Sequence, residues 1–451
     1  MPSKLLVKKA FNRVSVSSLT QVYGKVTQVH GYFIEASYTD AKVGEVAKLF
    51  THEQELECEV VSIADEFALL APLEMPLGVS VGSRVKYTGS FPEIPFLREP
   101  FGKILNGLGQ DITFGRSHAV THENISLFTN IPSINTRAPV DTIANTSIKV
   151  IDHLLPIGRG QKLGIFSGSG VGKSTLLNKI QKNLQADIKI VAMIGERSRE
   201  VVEFYEEYLA QIYCKDTFIV ASTSDESPMM KHRALSVALS YAQAFRDEGK
   251  HVLLVVDSIT RFAHALREIG ISRGELPIAR GYPTSVFTEL SKVVETCGNF
   301  KNGGCITGIM SILVDGDDEN EPISDYMRGI LDGHLLLDRR LSDRGLYPSV
   351  DILKSRSRVT ERILSSSDIA ILKDIMLVYS KYSDIEDVVK TGIHVPGSNS
   401  DIDDLIRLKE LLDVELYSSG ESLNKEMIHE ISKYKTNSRT KKSTKSESDL
   451  S

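Results

Sequence analysis

The eight residues SGSGVGKS at 167–174 constrain this chain more than any other stretch. They follow the apolar run LGIF (163–166) and lead into STLLNKIQ, the start of a helix by its apolar spacing. Strand, glycine-rich loop and helix in that order make an anion cradle. Successive backbone N–H groups point inward, and the positive end of the helix dipole faces the same spot. The pattern is G-x-x-x-x-G-K-[ST], with Ser167 where the opening glycine belongs. Ser167 leaves the strand before the loop wraps a phosphate, so ordinary dihedrals suffice there. Gly168, Gly170 and Gly172 are expected to supply the unusual dihedrals and the close approach. The nucleotide-binding segment is therefore Ser167, Gly168, Ser169, Gly170, Val171, Gly172, Lys173, Ser174 and Thr175. Lys173 reaches the β- and γ-phosphates of ATP, and Ser174 offers its hydroxyl to Mg²⁺. The bland alternative, a Gly/Ser turn before a helix, does not account for the strand–loop–helix context.

Around this loop, from 145 to 360, apolar runs (LGIF, IKIVAMI, TFIVAST, HVLLVVD, CITGIMSILV) alternate with helical stretches. Continuously apolar strands between helices predict an α/β domain, a parallel sheet covered on both faces. Ligands then sit beyond the carboxyl ends of the strands. Upstream, 15–90 shows several short period-2 segments and predicts a small β-barrel, and Pro and Gly mark 91–144 as a connector. Downstream, 361–433 has three- and four-residue apolar steps and predicts a helical domain. A short segment, 1–14, precedes the barrel; the tail, 434–451, is basic and nearly free of apolar residues, the composition of a disordered segment.

Composition narrows the function classes. A hydrophobic content of 41% with no apolar run near membrane length predicts a soluble, cytoplasmic protein. The basic N-terminus lacks the uninterrupted apolar segment of a cleaved signal peptide. Cys58, Cys214, Cys297 and Cys305 lack metal-ligand spacing and read as isolated thiols, although Cys297 and Cys305 could meet across a hairpin. A net charge of −6 argues against a nucleic-acid-coated surface.

Two strand tips carry acids. HVLLVVD ends in Asp257, a second ligand for Mg²⁺; the competing reading is an N-cap for the helix that follows. GERSREV places Glu196 after the strand IKIVAMI, where a carboxylate can orient and polarise water, with Arg197 beside it as charge partner. On chemistry alone, that Glu–Arg pair reads equally as a solvated ion pair.

Taken in order, SGSGVGKS, GERSREV, VVDSITRFAHALREIG, ARGYPTSVF, DGDDENEP, DGHLLLDRRL and RGLYPSVD resemble the catalytic subunits of F- and V-type rotary ATPases. Within that superfamily they are most similar to the flagellar and type III protein-secretion ATPases. The likeness runs from about residue 15 to 435. It implies a P-loop (RecA-like) core between an N-terminal barrel and a C-terminal helical domain, and a homohexamer with nucleotide sites between subunits. Position by position, it implies that Glu196 activates water, with Lys173 and Arg197 on the phosphate side and Arg261 beside the catalytic site. It also implies that Asp257 is the metal-side aspartate and that Tyr347 stacks on adenine. Arg358, in SRSRV, matches the arginine finger that reaches the next subunit's γ-phosphate. Two departures stand out: Ser198 where glycine is usual, which stiffens the loop after Glu196, and the extra Arg356.

The implied function is an ATPase that energises export, releasing chaperones from cargo and unfolding it at a gate. Implied partners are a stator-type regulator, a stalk protein, export-gate proteins and chaperone–cargo complexes, with peripheral association at the inner face of the plasma membrane. The N-terminal segment is shorter than the extension that docks the regulator in many such ATPases. A rotary ion-pump subunit shares these motifs but usually carries a long insertion when vacuolar. A hexameric RNA translocase shares the core, yet the barrel segment lacks an aromatic-plus-arginine platform.

Overall fold

Alternating burial closes the first strands into a barrel in a computed structural model. The structure describes residues 23–434 other than 39, 114–122, 128–130, 210–214, 302, 315–320, 419, 421, 425 and 432–433. The expected N-terminal segment, the tail beyond Tyr434, Cys214 and most of DGDDENEP lie outside the described residues. Strands β1 (Gly24–His30), β2 (Phe33–Ala36), β3 (Val46–Phe50), β4 (Glu55–Ile63), β5 (Ala68–Pro72) and β6 (Arg84–Tyr87) pair antiparallel in the closed order β1-β2-β5-β4-β3-β6. In β3, Ala47 and Leu49 fill the interior while Val46, Lys48 and Phe50 stay partly exposed, as a period of two requires. Strand β5 is buried throughout because both its faces are covered. Ala68 and Leu70 enter the barrel core, whereas Leu69 and Ala71 pack on Met229, Met230 and Ile269 of the next domain.

That domain is built on β7 (Ile104–Leu105), β8 (Lys162–Ser167), β9 (Ile188–Glu196), β10 (Thr217–Thr223), β11 (His251–Asp257), β12 (Cys305–Leu313), β13 (Gly333–Leu336) and β14 (Arg356–Ser357). Their spatial order is β14-β13-β8-β12-β11-β9-β10-β7. Every neighbouring pair is parallel except the β13–β14 edge. The short strands Arg137–Ala138 and Gly298–Phe300 extend the sheet beside β12. The stretch expected as a connector thus supplies the edge strand β7 and is laced to the core. Tyr241 donates its hydroxyl to the Pro95 carbonyl and accepts from the Leu97 amide, each at 2.9 Å.

Helices α1 (Lys173–Asn183) and α2 (Ser198–Phe204) cover one face of the sheet with the C-terminal helices α7 (Ser366–Lys390) and α8 (Ser400–Leu416). The opposite face is covered by α3 (Pro228–Asp247), α4 (Ile259–Ser272), α5 (Thr284–Thr296) and α6 (Pro322–Ile330). Successive β8 residues serve opposite cores, Ile165 under α1 and Phe166 under the other layer. Apolar runs without alternation therefore mean burial on both faces, as the sequence predicts. Cys58, Cys297 and Cys305 are buried free thiols, so no disulfide joins the last two. Among the described residues, no helix is long and apolar enough to cross a membrane.

Candidate nucleotide site

Strand β8 delivers the glycine-rich loop to the carboxyl edge of the sheet, and α1 starts at Lys173 with Gly172 as its N-cap. Gly170 (φ 79°) and Gly172 (φ 91°) adopt left-handed backbone that only glycine takes readily. Gly168 does not share that conformation, so two of the three expected glycines are conformationally required. Ser167 has ordinary dihedrals and is buried, with its carbonyl accepting from the Val314 amide at 2.9 Å. A second segment braces the loop from outside. Ser349 donates to the Val171 carbonyl at 2.7 Å, and Arg339 donates to the Ser169 carbonyl at 2.9 Å. Tyr347 is 45% exposed, with its ring beside Gly172: a β-carbon there would stand 3.5 Å from the aromatic edge. An open aromatic face beside the phosphate loop is what a stacked base needs.

Adjacent strand tips bring the charged groups together. Lys173 Nζ lies 2.5 Å from Asp257 Oδ1, and Ser311 Oγ, on β12 between them, lies 2.5 Å from the same oxygen. Asp257 ends β11 and precedes Ser258, which caps α4 by accepting from the Arg261 amide. The capping oxygen is therefore the serine's, and the aspartate is left to the site. Glu196 ends β9, where a register irregularity between Ile194 and Glu196 turns the chain at Gly195. Glu196 is only 7% exposed, and burial raises its carboxyl above the ordinary range. The Asp257 charge pushes it the same way, while Lys173 and Arg261 pull it back.

The guanidinium paired with Glu196 is that of Arg261, at 3.2 Å, rather than that of its chain neighbour Arg197. Residues adjacent in an extended segment point to opposite sides, and Arg197 emerges into solvent at the start of α2. Ser198 is the first residue of that helix. Ser174 and Asp257 line one cavity of about 210 Å³ between α1 and α2, with Glu200, Glu203 and Glu207 on its far wall. A hydroxyl and a carboxylate are hard oxygen donors, and so few protein ligands leave room for phosphate oxygens and water, as Mg²⁺ prefers. The residues fit that ion. Thr175 is exposed at the start of α1.

Arg358 stands apart. Ser357 pairs with Gly333, which pairs with Leu163, so Arg358 lies at the opening end of β8. Leu163 precedes Ser167 by four residues, roughly 13 Å of strand. Arg358 and Arg356 are both exposed. Three groups escape a reading by motif: Ser311, Arg339 and Ser349. For Ser311 the available signal is a hydroxyl inside an otherwise apolar strand, which must find a partner when buried.

Residues 147–357 match the ATP synthase alpha/beta family, nucleotide-binding domain. The chain is 41% identical over 381 residues to the flagellum-specific ATP synthase of Borreliella burgdorferi, covering 84% of this chain and 87% of that one. Against the protein of the same description from Bacillus subtilis the identity is 37%, covering 85% and 88%. The assembled ATPase EscN of the enteropathogenic E. coli type III secretion system superposes with a TM-score of 0.83 at 32% identity, covering 91% of this chain and 99% of that one. A second EscN structure, in complex with its central stalk EscO, superposes with a TM-score of 0.79.

Proposed function

Since the chain belongs to the ATP synthase alpha/beta family, among the flagellar and type III secretion ATPases, we propose that it hydrolyses ATP to energise protein export from a homohexameric ring whose sites are completed between neighbouring copies. One observation carries the shared-site reading: the phosphate loop and Arg358 occupy opposite ends of one sheet. A single copy cannot bring that guanidinium to its own phosphates. A head-to-tail ring can, because such an interface joins two different patches.

The division of labour follows from the geometry. Loop amides and Lys173 grip the phosphates, and Tyr347 stacks on the adenine. Mg²⁺, held by Ser174 and Asp257, would neutralise charge building on the phosphate oxygens. Glu196 orients the attacking water and takes its proton, with Lys173 and, at 3.2 Å, Arg261 favouring its charged form against burial. Arg197 is exposed and points away from Glu196, and the neighbour's Arg358 completes the transition-state charge. Around the ring we place a central stalk, a stator-type regulator and export-gate proteins at the inner face of the plasma membrane. There the ring strips chaperones from cargo and unfolds it. EscN in complex with its stalk EscO supports the stalk by analogy.

Mixing two inactive variants tests the shared site. Arg358→Ala and Glu196→Gln alone should be almost inactive while binding ATP. Mixed equally, they should regain activity at roughly a quarter of interfaces, by random pairing in a heterologous ring. No recovery at any ratio, with rings intact, refutes completion in trans.

A further inference from the structure

Ser311 is fully buried (0% exposed) in β12, the strand between the phosphate-loop strand β8 and the Asp257 strand β11. Parallel register sets Ser311 beside Ile165 and Met310 beside Val256. Alternation then turns the serine toward the face under α1, where Lys173 starts the helix. Its Oγ donates to Asp257 Oδ1 at 2.5 Å and accepts from Lys173 Nζ at 3.3 Å. Lys173 itself donates to that same Oδ1.

Both contacts to Asp257 fall on one carboxylate oxygen. Rotating the Asp257 carboxylate would break the serine's bond to an ionised acceptor, one of the stronger hydrogen bonds available. We infer that Ser311 is a positioning residue: it locks the Asp257 carboxylate so that Oδ2 faces the cavity shared with Ser174. The serine touches neither phosphate nor metal. It acts through Asp257, as partners behind metal ligands generally do. This rests on the reading of Asp257 as the metal-side carboxylate.

Calorimetric titration with ADP, in Mg²⁺ and in EDTA, tests it. The wild-type chain should bind ADP more tightly with Mg²⁺. Ser311→Ala should lose about tenfold or more of the Mg²⁺-dependent affinity, the usual loss on removing such a partner. Its affinity in EDTA and its melting temperature should stay close to wild type, and Ser311→Thr should restore the Mg²⁺ advantage. An unchanged Mg²⁺ advantage in Ser311→Ala overturns the inference. So does an equal loss in Mg²⁺ and EDTA, which marks a packing role only. A wild-type chain indifferent to Mg²⁺ would instead remove the metal role of Asp257.

Discussion

On the proposed mechanism, Glu196 serves as a base from a position that disfavours its charge. Burial, the largest influence, and then Asp257 raise its pKa; Lys173 and Arg261 lower it. A base works only when deprotonated, so turnover should fall as pH drops through this raised value. The acid limb of the pH–rate profile should therefore lie above 4.5, the ordinary glutamate value. Removing the guanidinium in Arg261→Gln withdraws support from the carboxylate, raises its pKa further and should move that limb to higher pH. A limb that stays in place, or moves down, counts against the pairing. Glu196→Gln should keep nucleotide affinity and lose about 10²–10⁴-fold in turnover, the usual contribution of general-base catalysis. Single-turnover measurement with bound ATP separates the two quantities.

The same carboxylate depends on how its strand ends. Gly195 has φ 71°, and a β-carbon added there would stand 3.0 Å from Arg261 Cδ. Gly195→Ala should cost about 1–2 kcal/mol from its left-handed backbone. By displacing Arg261 from Glu196, it should also slow turnover by on the order of 10²-fold, the penalty of a small misplacement. Denaturant unfolding and steady-state rates check the two effects separately; wild-type turnover would show that the irregularity does not set Glu196. Elements such as β8–α1 are legible in sequence because the loop's glycines and the helix spacing are local signals. Asp257 is legible because an acid closing a strongly apolar run has few structural uses. Arg261 as the partner of Glu196 is hidden, because which guanidinium arrives depends on two strands and a helix meeting. Ser311 is hidden for a similar reason: a serine in an apolar strand reads alike whether it bonds a carboxylate or its own backbone. The edge strand β7 has only two residues, too few to show any period.

Across the molecule, the barrel is fastened to the catalytic domain by a buried ion pair. Arg233 of α3 lies 3.2 Å from Glu59 of β4, with side chains only 5% and 13% exposed. Arg233→Ala leaves a buried carboxylate without its partner and should destabilise the protein by about 3–5 kcal/mol. Replacing both residues, Glu59→Leu with Arg233→Met, should recover most of that loss, as apolar exchange of a buried pair often does. Urea unfolding of the three proteins decides; equal losses in the single and double variants would mean that packing, not charge, is at stake. Separation of Arg358 from its own phosphate loop acts on a larger scale still. On the proposed arrangement, the rate per copy climbs steeply with concentration instead of staying constant. Scattered copies then idle without any inhibitor, and fuel is burnt only where many gather at one address.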